Sequence, residues 1–293
     1  MKIEQVIELY LSELKSIKRY SPNTVKAYRE DLLSFLSFCK ENQKNDIENI
    51  TNKFIKNFLM NLNELGLDKR SIARKLASVR GLFKHAFQRE ILDSNPALQI
   101  SNPKLDRKLP EVVPLDSILK IYNIADEAEE NPIIVKVIFE ILYGCALRVS
   151  ELCGINNVDV DLKSRVIKIR GKGNKERIVP VGDKSSEIIQ TYMLWRKNFK
   201  GTNAFILNAK GDRIYPRYVH RLVHKYLGKV SDIKQKSPHV LRHTAATHML
   251  DRGADIRAVK EFLGHENLST TQIYTHVSIE RLKSTYKKAH PKS

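Results

Sequence analysis

Cysteine is scarce in this sequence, with three in 293 residues, and no two of them form a CxxC pair. Structural zinc sites and disulfide frameworks depend on closely paired cysteines, so the spacing argues against both. Cys39, Cys145 and Cys153 lie among apolar neighbours. They are therefore predicted to be buried free thiols.

Long apolar runs are also missing. No stretch approaches the roughly 18 consecutive apolar residues that a membrane-spanning helix needs. Residues 1–5 mix polar and apolar side chains and do not begin the apolar core of a signal peptide. We therefore expect a cytoplasmic protein without a membrane segment.

Acidic residues are too few to balance the basic ones, because 33 Asp and Glu stand against 51 Lys and Arg, a formal net charge of +18. The chain has 20 basic and 13 acidic residues before Pro110, and 31 and 20 from Pro110 onward. This even spread predicts two surfaces that bind a polyanion rather than one basic tail. The length, close to twice the ~150 residues of a typical domain, predicts two domains.

Four amphipathic helices are predicted in the first hundred residues. Ser21 can cap the second, and Pro22 fits its first turn, where a missing backbone donor costs nothing. Gly66 closes the third, and the fourth extends from about Asp68 to Glu90. The apolar faces, in chain order, are Val6, Leu9, Leu14 and Ile17; Val25, Tyr28, Leu32, Phe35 and Cys39; Phe54, Ile55, Phe58, Leu59 and Leu62; and Ile72, Leu76, Val79, Phe83 and Phe87.

The fourth helix is strongly basic and has a single acid near its end, Glu90. A solvated helix face usually mixes both signs of charge, so phosphate contact is favoured over a merely solvated face. After this helix, the proline-containing stretch from Ile100 to Pro114 has no helical period and is predicted to be an interdomain linker. The basic residues are Lys69, Arg70, Arg74, Lys75, Arg80, Lys84 and Arg89.

The pattern becomes mixed after Leu115. Helices are predicted near residues 116–128 and 132–147, and residues 165–170 and 176–181 alternate in polarity as β-strands do. Between these strands, Gly171-Lys172-Gly173-Asn174 is typical of a β-hairpin turn. Its lysine is either an idle exposed side chain or one placed for close approach of a partner. The predicted fold is mainly α with a small antiparallel β-sheet.

A helix predicted from about residue 238 brings His239 and Arg242 onto one face near its N-terminus. Free amides and the helix dipole favour a bound anion there, and a phosphate fits. A zinc site is the rival interpretation, because His239 and His243 have the i, i+4 spacing of a metalloprotease helix. Val240 occupies the position of the catalytic glutamate of such a helix, so the phosphate site is preferred.

Six residues, in their order and approximate spacing, resemble the catalytic set of the tyrosine recombinase (phage integrase) family. The resemblance covers nearly the whole chain, since the start at Ser21-Pro22-Asn23-Thr24 resembles the family's core-binding domain and residues 171–177 resemble its lysine hairpin. The compact chain is most similar to the Xer branch. The six residues are Arg148, Lys172, His239, Arg242, His265 and Tyr274.

The resemblance implies a reaction in which Tyr274 attacks a DNA phosphodiester and forms a 3′-phosphotyrosine intermediate. Lys172 is implied to protonate the departing 5′ oxygen as general acid, with His239 as proton acceptor. Because ester is exchanged for ester, the resemblance implies no cofactor.

Arg148 and Arg242 are implied to clamp the non-bridging phosphate oxygens, because guanidinium forks match that planar charge. His265 adds a hydrogen bond, and Glu151, one helical turn after Arg148, orients the site. The arginines supply the positive charge that a metal ion supplies elsewhere, so no metal is implied.

The domain boundaries expected from this resemblance are a helical, SAM-like DNA core-binding domain over residues 1–100, a linker over 101–109 and a catalytic domain over 110–293. The partners implied are double-stranded DNA and three further subunits in a homo- or hetero-tetramer on synapsed DNA, with a paralogous recombinase as one option. The tail is expected to dock on a neighbouring protomer through Val277, Ile279, Leu282 and Tyr286.

Resolution of chromosome or plasmid dimers is the role that the Xer branch implies. The alternatives are an integrase or invertase of a mobile element, a type IB topoisomerase-like enzyme and a DNA-binding protein without activity. Intact Tyr274, Arg148 and Arg242 argue against the last of these.

Overall fold

The computed structural model describes residues 1–17, 20–104, 111–127, 131–171, 176–264 and 276–291, and for 276–282 the backbone alone. The chain divides into two compact units, Met1–Lys108 and Leu109–Ser293. Each unit has its own hydrophobic core. In the described part of the chain, no helix is long and apolar enough to cross a membrane.

The first unit is a bundle of four α-helices. The Ser21 hydroxyl accepts a hydrogen bond from the amide of Thr24 at 3.2 Å, and Pro22 is the first helical residue, so the predicted cap is confirmed. Asp68 caps the fourth helix through the amides of Arg70 and Ser71. The helices are α1 (Ile3–Ser16), α2 (Pro22–Glu41), α3 (Asn52–Glu64) and α4 (Lys69–Gln88).

The predicted core of this unit is confirmed except at three positions. Leu9, Ile17 and Phe87 are exposed, because the buried stripe of each helix runs along neighbouring positions instead. In α1 the stripe uses Ile3, Ile7, Tyr10 and Leu11 beside the predicted Val6 and Leu14, and in α4 Leu82 and Ala86 replace Phe87.

The basic face predicted for α4 is partly occupied by acids of the same unit. Asp31, which is almost fully buried, lies 2.6 Å from Arg74 and 3.5 Å from Lys75. Arg89 donates to Glu13 at 2.8 Å. Three of the seven bases therefore stabilise the bundle, and the number available for phosphate contact is smaller than the sequence suggests.

The second unit is mixed, and five of the eight residues of α6 (Pro132–Phe139) are buried in its core, while Lys136 pairs with Asp126. α6 packs against α8 (Asp183–Arg196), and α5 (Leu115–Ile124) packs against α9 (Pro216–Val230). The elements are α5 (Leu115–Ile124), α6 (Pro132–Phe139), α7 (Val149–Gly154), β1 (Val160–Asp161), β2 (Val166–Arg170), β3 (Glu176–Pro180), α8 (Asp183–Arg196), α9 (Pro216–Val230), α10 (Pro238–Asp251), α11 (Ile256–Leu263) and α12 (His276–Ala289).

The predicted helix over 132–147 does not run to its end. After Phe139 the backbone widens into a π-helical turn, Glu140–Gly144, and Ala146 then adopts φ +47°, in the left-handed region that non-glycine residues rarely enter. The chain therefore leaves the helix before Arg148, which becomes the cap residue of α7.

The small antiparallel sheet is confirmed, with strands in the order β1-β2-β3. β2 and β3 pair from Val166 opposite Pro180 to Arg170 opposite Glu176. Lys172 and the rest of 172–175 lie outside the described residues. All three cysteines are free; Cys39 and Cys145 are buried as predicted, but Cys153 is only half-buried.

Tyr286, one of the residues expected to dock on a neighbouring protomer, is buried in its own unit in this structure of a single chain, and docking of the tail stays a prediction. The Tyr286 hydroxyl donates to the carbonyl oxygen of Gly144 at 3.0 Å, and its ring stacks on His290 with centroids 4.5 Å apart. The first residues of α12 precede this contact, and the side chains of Val277, Ile279 and Leu282 lie outside the described residues.

Candidate active site

The carboxylate of Glu151 is the centre of the candidate site. Arg148 donates to it twice at 2.8 Å, from the backbone amide and from Nη1. Arg177 binds both oxygens, with Nη1 at 2.6 Å and Nη2 at 2.9 Å. Burial alone would raise the pKa of Glu151, but the hydrogen bonds and charge of Arg177, with the bonds from Arg148, lower it to about 2. Glu151 is therefore ionised at physiological pH.

Arg242, from α10, reaches the same carboxylate at 3.9 Å and is nearly buried. Its Nη1 donates to the carbonyl oxygen of Ala146 at 2.5 Å, and its Nη2 donates to the carbonyl oxygen of Leu263. Burial and the charge of Arg148 lower the pKa of Arg242 to about 10, so the guanidinium stays protonated at neutral pH.

Gly264 ends α11 in the left-handed conformation, φ +64°. Its carbonyl oxygen accepts from Arg148 Nη2 at 3.4 Å. A Cβ on Gly264 would lie 2.7 Å from Cδ of Arg177, so only glycine fits against that side chain. The end of α11 is therefore held by both predicted catalytic arginines and by Arg177.

His239 lies at the start of α10, one helical turn before Arg242. Partial burial, together with the positive fields of His220, Arg242 and Arg148, lowers the pKa of His239. The imidazole is therefore neutral at physiological pH and able to accept a proton. Among the described residues, no cluster of His, Cys, Asp and Glu could hold a metal ion.

The structure thus brings together three of the six predicted catalytic residues, Arg148, His239 and Arg242, with Glu151 as their predicted orienting partner. The other three, Lys172, His265 and Tyr274, lie outside the described residues. Glu176 directly follows the segment that carries Lys172, and Gly264 directly precedes the segment that carries His265 and Tyr274.

Two features of this unit were missed from the sequence. Arg177 stands in the motif at the lysine hairpin but was assigned no role, and only the fold reveals that it binds Glu151. The second is α9, which has no acid in 15 residues and whose bases are Arg217, His220, Arg221, His224, Lys225 and Lys229. The presence of bases without acids in this helix could have been recognised in the sequence as a sign of phosphate contact.

The phage integrase family model matches residues 111–281, and the model of the phage integrase N-terminal SAM-like domain matches residues 7–90. The chain belongs to the phage integrase family. It is a site-specific tyrosine recombinase, and the predicted fold class and enzyme class are confirmed.

Relatives named XerC resemble the recombinase over nearly its whole length. "Tyrosine recombinase XerC" of Chlorobaculum parvum is 37% identical and the match covers 97% of this chain and 94% of the relative. The protein of the same name in Thermodesulfovibrio yellowstonii is 38% identical, with 97% and 95% covered, and that in Myxococcus xanthus is 36% identical, with 99% of each covered.

Solved structures share the fold of the recombinase. The Tn1549 transposon integrase, in complex with circular intermediate DNA, superimposes with a TM-score of 0.72 at 22% identity over 94% of this chain and 98% of the other. XerH recombinase bound to palindromic difH substrate gives 0.72 at 21% identity, covering 96% and 83%.

Proposed function

We propose that the recombinase cuts double-stranded DNA with Tyr274 and rejoins it through a 3′-phosphotyrosine intermediate. The observation that carries this proposal is the convergence of Arg148 and Arg242 on Glu151, beside a His239 whose pKa is lowered. The full set of proposed catalytic residues is Arg148, Lys172, His239, Arg242, His265 and Tyr274.

In the cleavage step, the Tyr274 hydroxyl oxygen forms a bond to phosphorus, and the bond from phosphorus to the 5′ oxygen breaks. His239 accepts the phenol proton, and Lys172 gives a proton to the 5′ oxygen, which leaves as a hydroxyl. Religation reverses both transfers. One phosphoester bond is lost as one is gained, so the reaction needs no nucleotide cofactor.

The charge of the site favours a phosphate in the transition state. One carboxylate, Glu151, faces three guanidiniums, so two positive charges remain for an anion. Arg148, with about a third of its side chain exposed, and Arg242 are the two proposed to bind the non-bridging oxygens, with His265 as a further donor. This arrangement stabilises the charge that develops during phosphoryl transfer.

The DNA-binding surface is proposed to include α9 and the part of α4 that is not engaged in ion pairs. Exposed bases without acids are the composition expected of a phosphate-contacting helix. Arg217 in α9 and Lys84 in α4 are exposed examples. The even distribution of positive charge along the chain supports one such surface in each unit.

The biological role proposed is Xer-like resolution of chromosome or plasmid dimers, in the cytoplasm, by a tetramer assembled on two DNA sites. Full-length relatives named XerC support this role over that of a mobile-element integrase. The other members of the tetramer are copies of this chain or of a second, paralogous recombinase.

The Tyr274→Phe variant tests the chemistry. On a nicked suicide substrate, the wild-type protein should form a covalent DNA adduct visible on a denaturing gel, and the variant should form none while binding DNA equally well. Tyr215→Phe is the matched control, because Tyr215 is exposed and away from the motif, and should form the adduct normally. An adduct with Tyr274→Phe would place the nucleophile elsewhere.

Genomic occupancy under conditions that trap covalent complexes tests the role. A single bound site in the region of the replication terminus is expected for dimer resolution. Occupancy confined to the ends of a mobile element would instead assign the recombinase to integration.

A further inference from the structure

Arg177 is nearly buried in the second unit and is not a member of the proposed catalytic set. Both of its Nη atoms bind Glu151, and its Nε is buried with no hydrogen-bond partner among the described residues. A guanidinium so enclosed is not a surface contact for DNA. Its position has to be explained by what it does to Glu151.

Stability alone explains this arrangement poorly. A buried ion pair contributes little net free energy, since desolvation offsets the attraction, and Glu151 already has Arg148 as a partner at 2.8 Å. A second arginine that binds both oxygens fixes the orientation of the carboxylate and is not needed to neutralise its charge. The carboxylate held in a two-point fork cannot rotate about its last bond.

The fixed carboxylate in turn fixes Arg148. Glu151 accepts from both the backbone amide and Nη1 of Arg148, so the position of the guanidinium depends on that of the carboxylate. Arg148 still has N–H donors that do not bind Glu151, and these are the ones a phosphate needs. Small errors in such placement are costly, because a misplacement of 1 Å can slow a reaction by about 10²-fold.

Arg177 also adjoins the two segments that carry the remaining proposed catalytic residues. It is the second residue of β3, directly after the hairpin that bears Lys172. Gly264 packs so closely on its side chain that a Cβ would lie 2.8 Å from Nε, and Gly264 directly precedes His265. Arg177 therefore contacts both Glu151 of α7 and Gly264 at the end of α11.

We infer that Arg177 is a positioning residue for DNA cleavage: its fork on Glu151 sets the orientation of Arg148 and joins β3 and the end of α11 to it. The inference rests on the proposed function. It predicts a specific defect in the chemical step, with DNA affinity preserved, when the fork is removed.

The test uses the full chain and measures single-turnover formation of the covalent adduct on a nicked suicide substrate at saturating DNA. Arg177→Met removes the fork with similar bulk, and Arg177→Lys keeps the charge but offers one point of attachment. Arg196→Met is the matched control, because Arg196 is a half-buried arginine of this unit that binds, among the described residues, only backbone carbonyls of Thr202, Ala204 and Phe205.

Arg177→Met should cleave about 10- to 100-fold more slowly than wild type per folded molecule, with DNA affinity changed less than about 2-fold. The cleavage rate of Arg177→Lys should fall between those of wild type and Arg177→Met. Arg196→Met should lose stability but cleave at the wild-type rate per folded molecule. Equal rates for Arg177→Met and Arg196→Met would overturn the inference.

The pH profile gives a second readout that a purely structural role would not move. The charged groups facing Glu151 are Arg148, Arg177 and Arg242, with His239 close to the last. Without Arg177, burial raises the pKa of Glu151, so Arg177→Met should lose additional rate as pH falls below neutral. Arg177→Met/Glu151→Gln should not show this additional loss, because an amide does not titrate.

The outcomes separate the two hypotheses. If wild type forms no adduct, the proposed function fails and nothing is learned against Arg177 alone. If wild type forms the adduct and both Arg177 variants match it in rate and pH profile, the positioning role is wrong. If Arg177→Met does not fold, Arg177→Lys decides, because a wild-type rate without the fork would overturn the inference.

Discussion

Arg242 donates a hydrogen bond from Nη1 to the backbone carbonyl oxygen of Ala146, two residues before Arg148. Ala146 has φ +47°, a conformation that costs an alanine of order 1 kcal/mol and persists only where surrounding contacts enforce it. One proposed catalytic arginine therefore holds the backbone that presents the other. The arrangement explains why the helix that starts at Pro132 ends before Arg148.

Lys172→Ala should slow cleavage of ordinary DNA by about 10² to 10⁴-fold if its ammonium protonates the 5′ oxygen. A substrate with sulfur at that bridging position releases a thiolate, which needs no proton. The variant should cleave it at close to the wild-type rate in a single-turnover assay.

Arg148→Ala is the comparison for this experiment, because it loses charge stabilisation instead and should stay slow on both substrates. If sulfur fails to rescue Lys172→Ala, the lysine positions the phosphate, and His239 or His265 becomes the candidate general acid.

Gly264→Ala should impair catalysis more than its backbone strain explains. The new Cβ would meet Arg177 Nε at 2.8 Å and displace the fork on Glu151, so we expect a loss of about 10-fold or more in single-turnover cleavage.

Gly253→Ala isolates the strain in this comparison. Gly253 has φ +82° with no atom within 4 Å of its would-be Cβ, so the substitution costs a similar ~1–2 kcal/mol in stability without touching Arg177. Equal cleavage rates for the two variants would show that the contact with Arg177 is immaterial.

The affinity of the recombinase for DNA should fall steeply with salt. Six to ten phosphate contacts correspond to a loss of about 10³ to 10⁵ in affinity between 50 and 200 mM salt. Arg217→Gln in α9 and Lys84→Gln in α4 should each reduce the slope of log K against log salt by about 1.

Arg89→Gln is the control for the salt series, because Arg89 binds Glu13 at 2.8 Å within its own bundle. It should leave the slope unchanged. A slope carried entirely by the variants of one unit would disprove the idea of two DNA-binding surfaces.

Tyr286→Ala should destabilise the second unit by about 3–5 kcal/mol, the usual cost of removing a buried aromatic side chain. Tyr286→Phe, which loses the hydroxyl with its hydrogen bonds to Gly144 and Ser185, should cost about 1 kcal/mol. Trp195, the sole tryptophan, lies in α8 and reports this unit selectively by fluorescence during denaturant unfolding. A Tyr286→Ala protein as stable as wild type would show that Tyr286 does not pack in its own chain.

The sequence predicted well where a pattern is local. Ser21 and Pro22 set the start of α2, and alternation located β2 and β3. Periodicity failed at Leu9 and Phe87, because a shift of one or two helix positions moves a side chain from core to solvent and single residues do not define that angle.

The partners of the site residues were harder to predict than the residues themselves. The ordered motif located Arg148 and Arg242, and the turn spacing linked Glu151 to Arg148. Nothing local links Arg177 to Glu151, since the two are joined only when β2 packs against α7 and brings the neighbouring strand β3 with it. The π-helical turn before Arg148 likewise depends on tertiary contacts of Glu140, whose carboxylate accepts from Ser185 and Tyr122.

The burial of Tyr286 under Gly144 also bears on how the protein is made. Tyr286, which completes the core of the second unit, is translated long after α6, α7 and the sheet. A nascent chain can close its first unit early, whereas the second stays unfinished until Tyr286 has left the ribosome. The core around the π-helical turn that precedes Arg148 is therefore completed only late in synthesis.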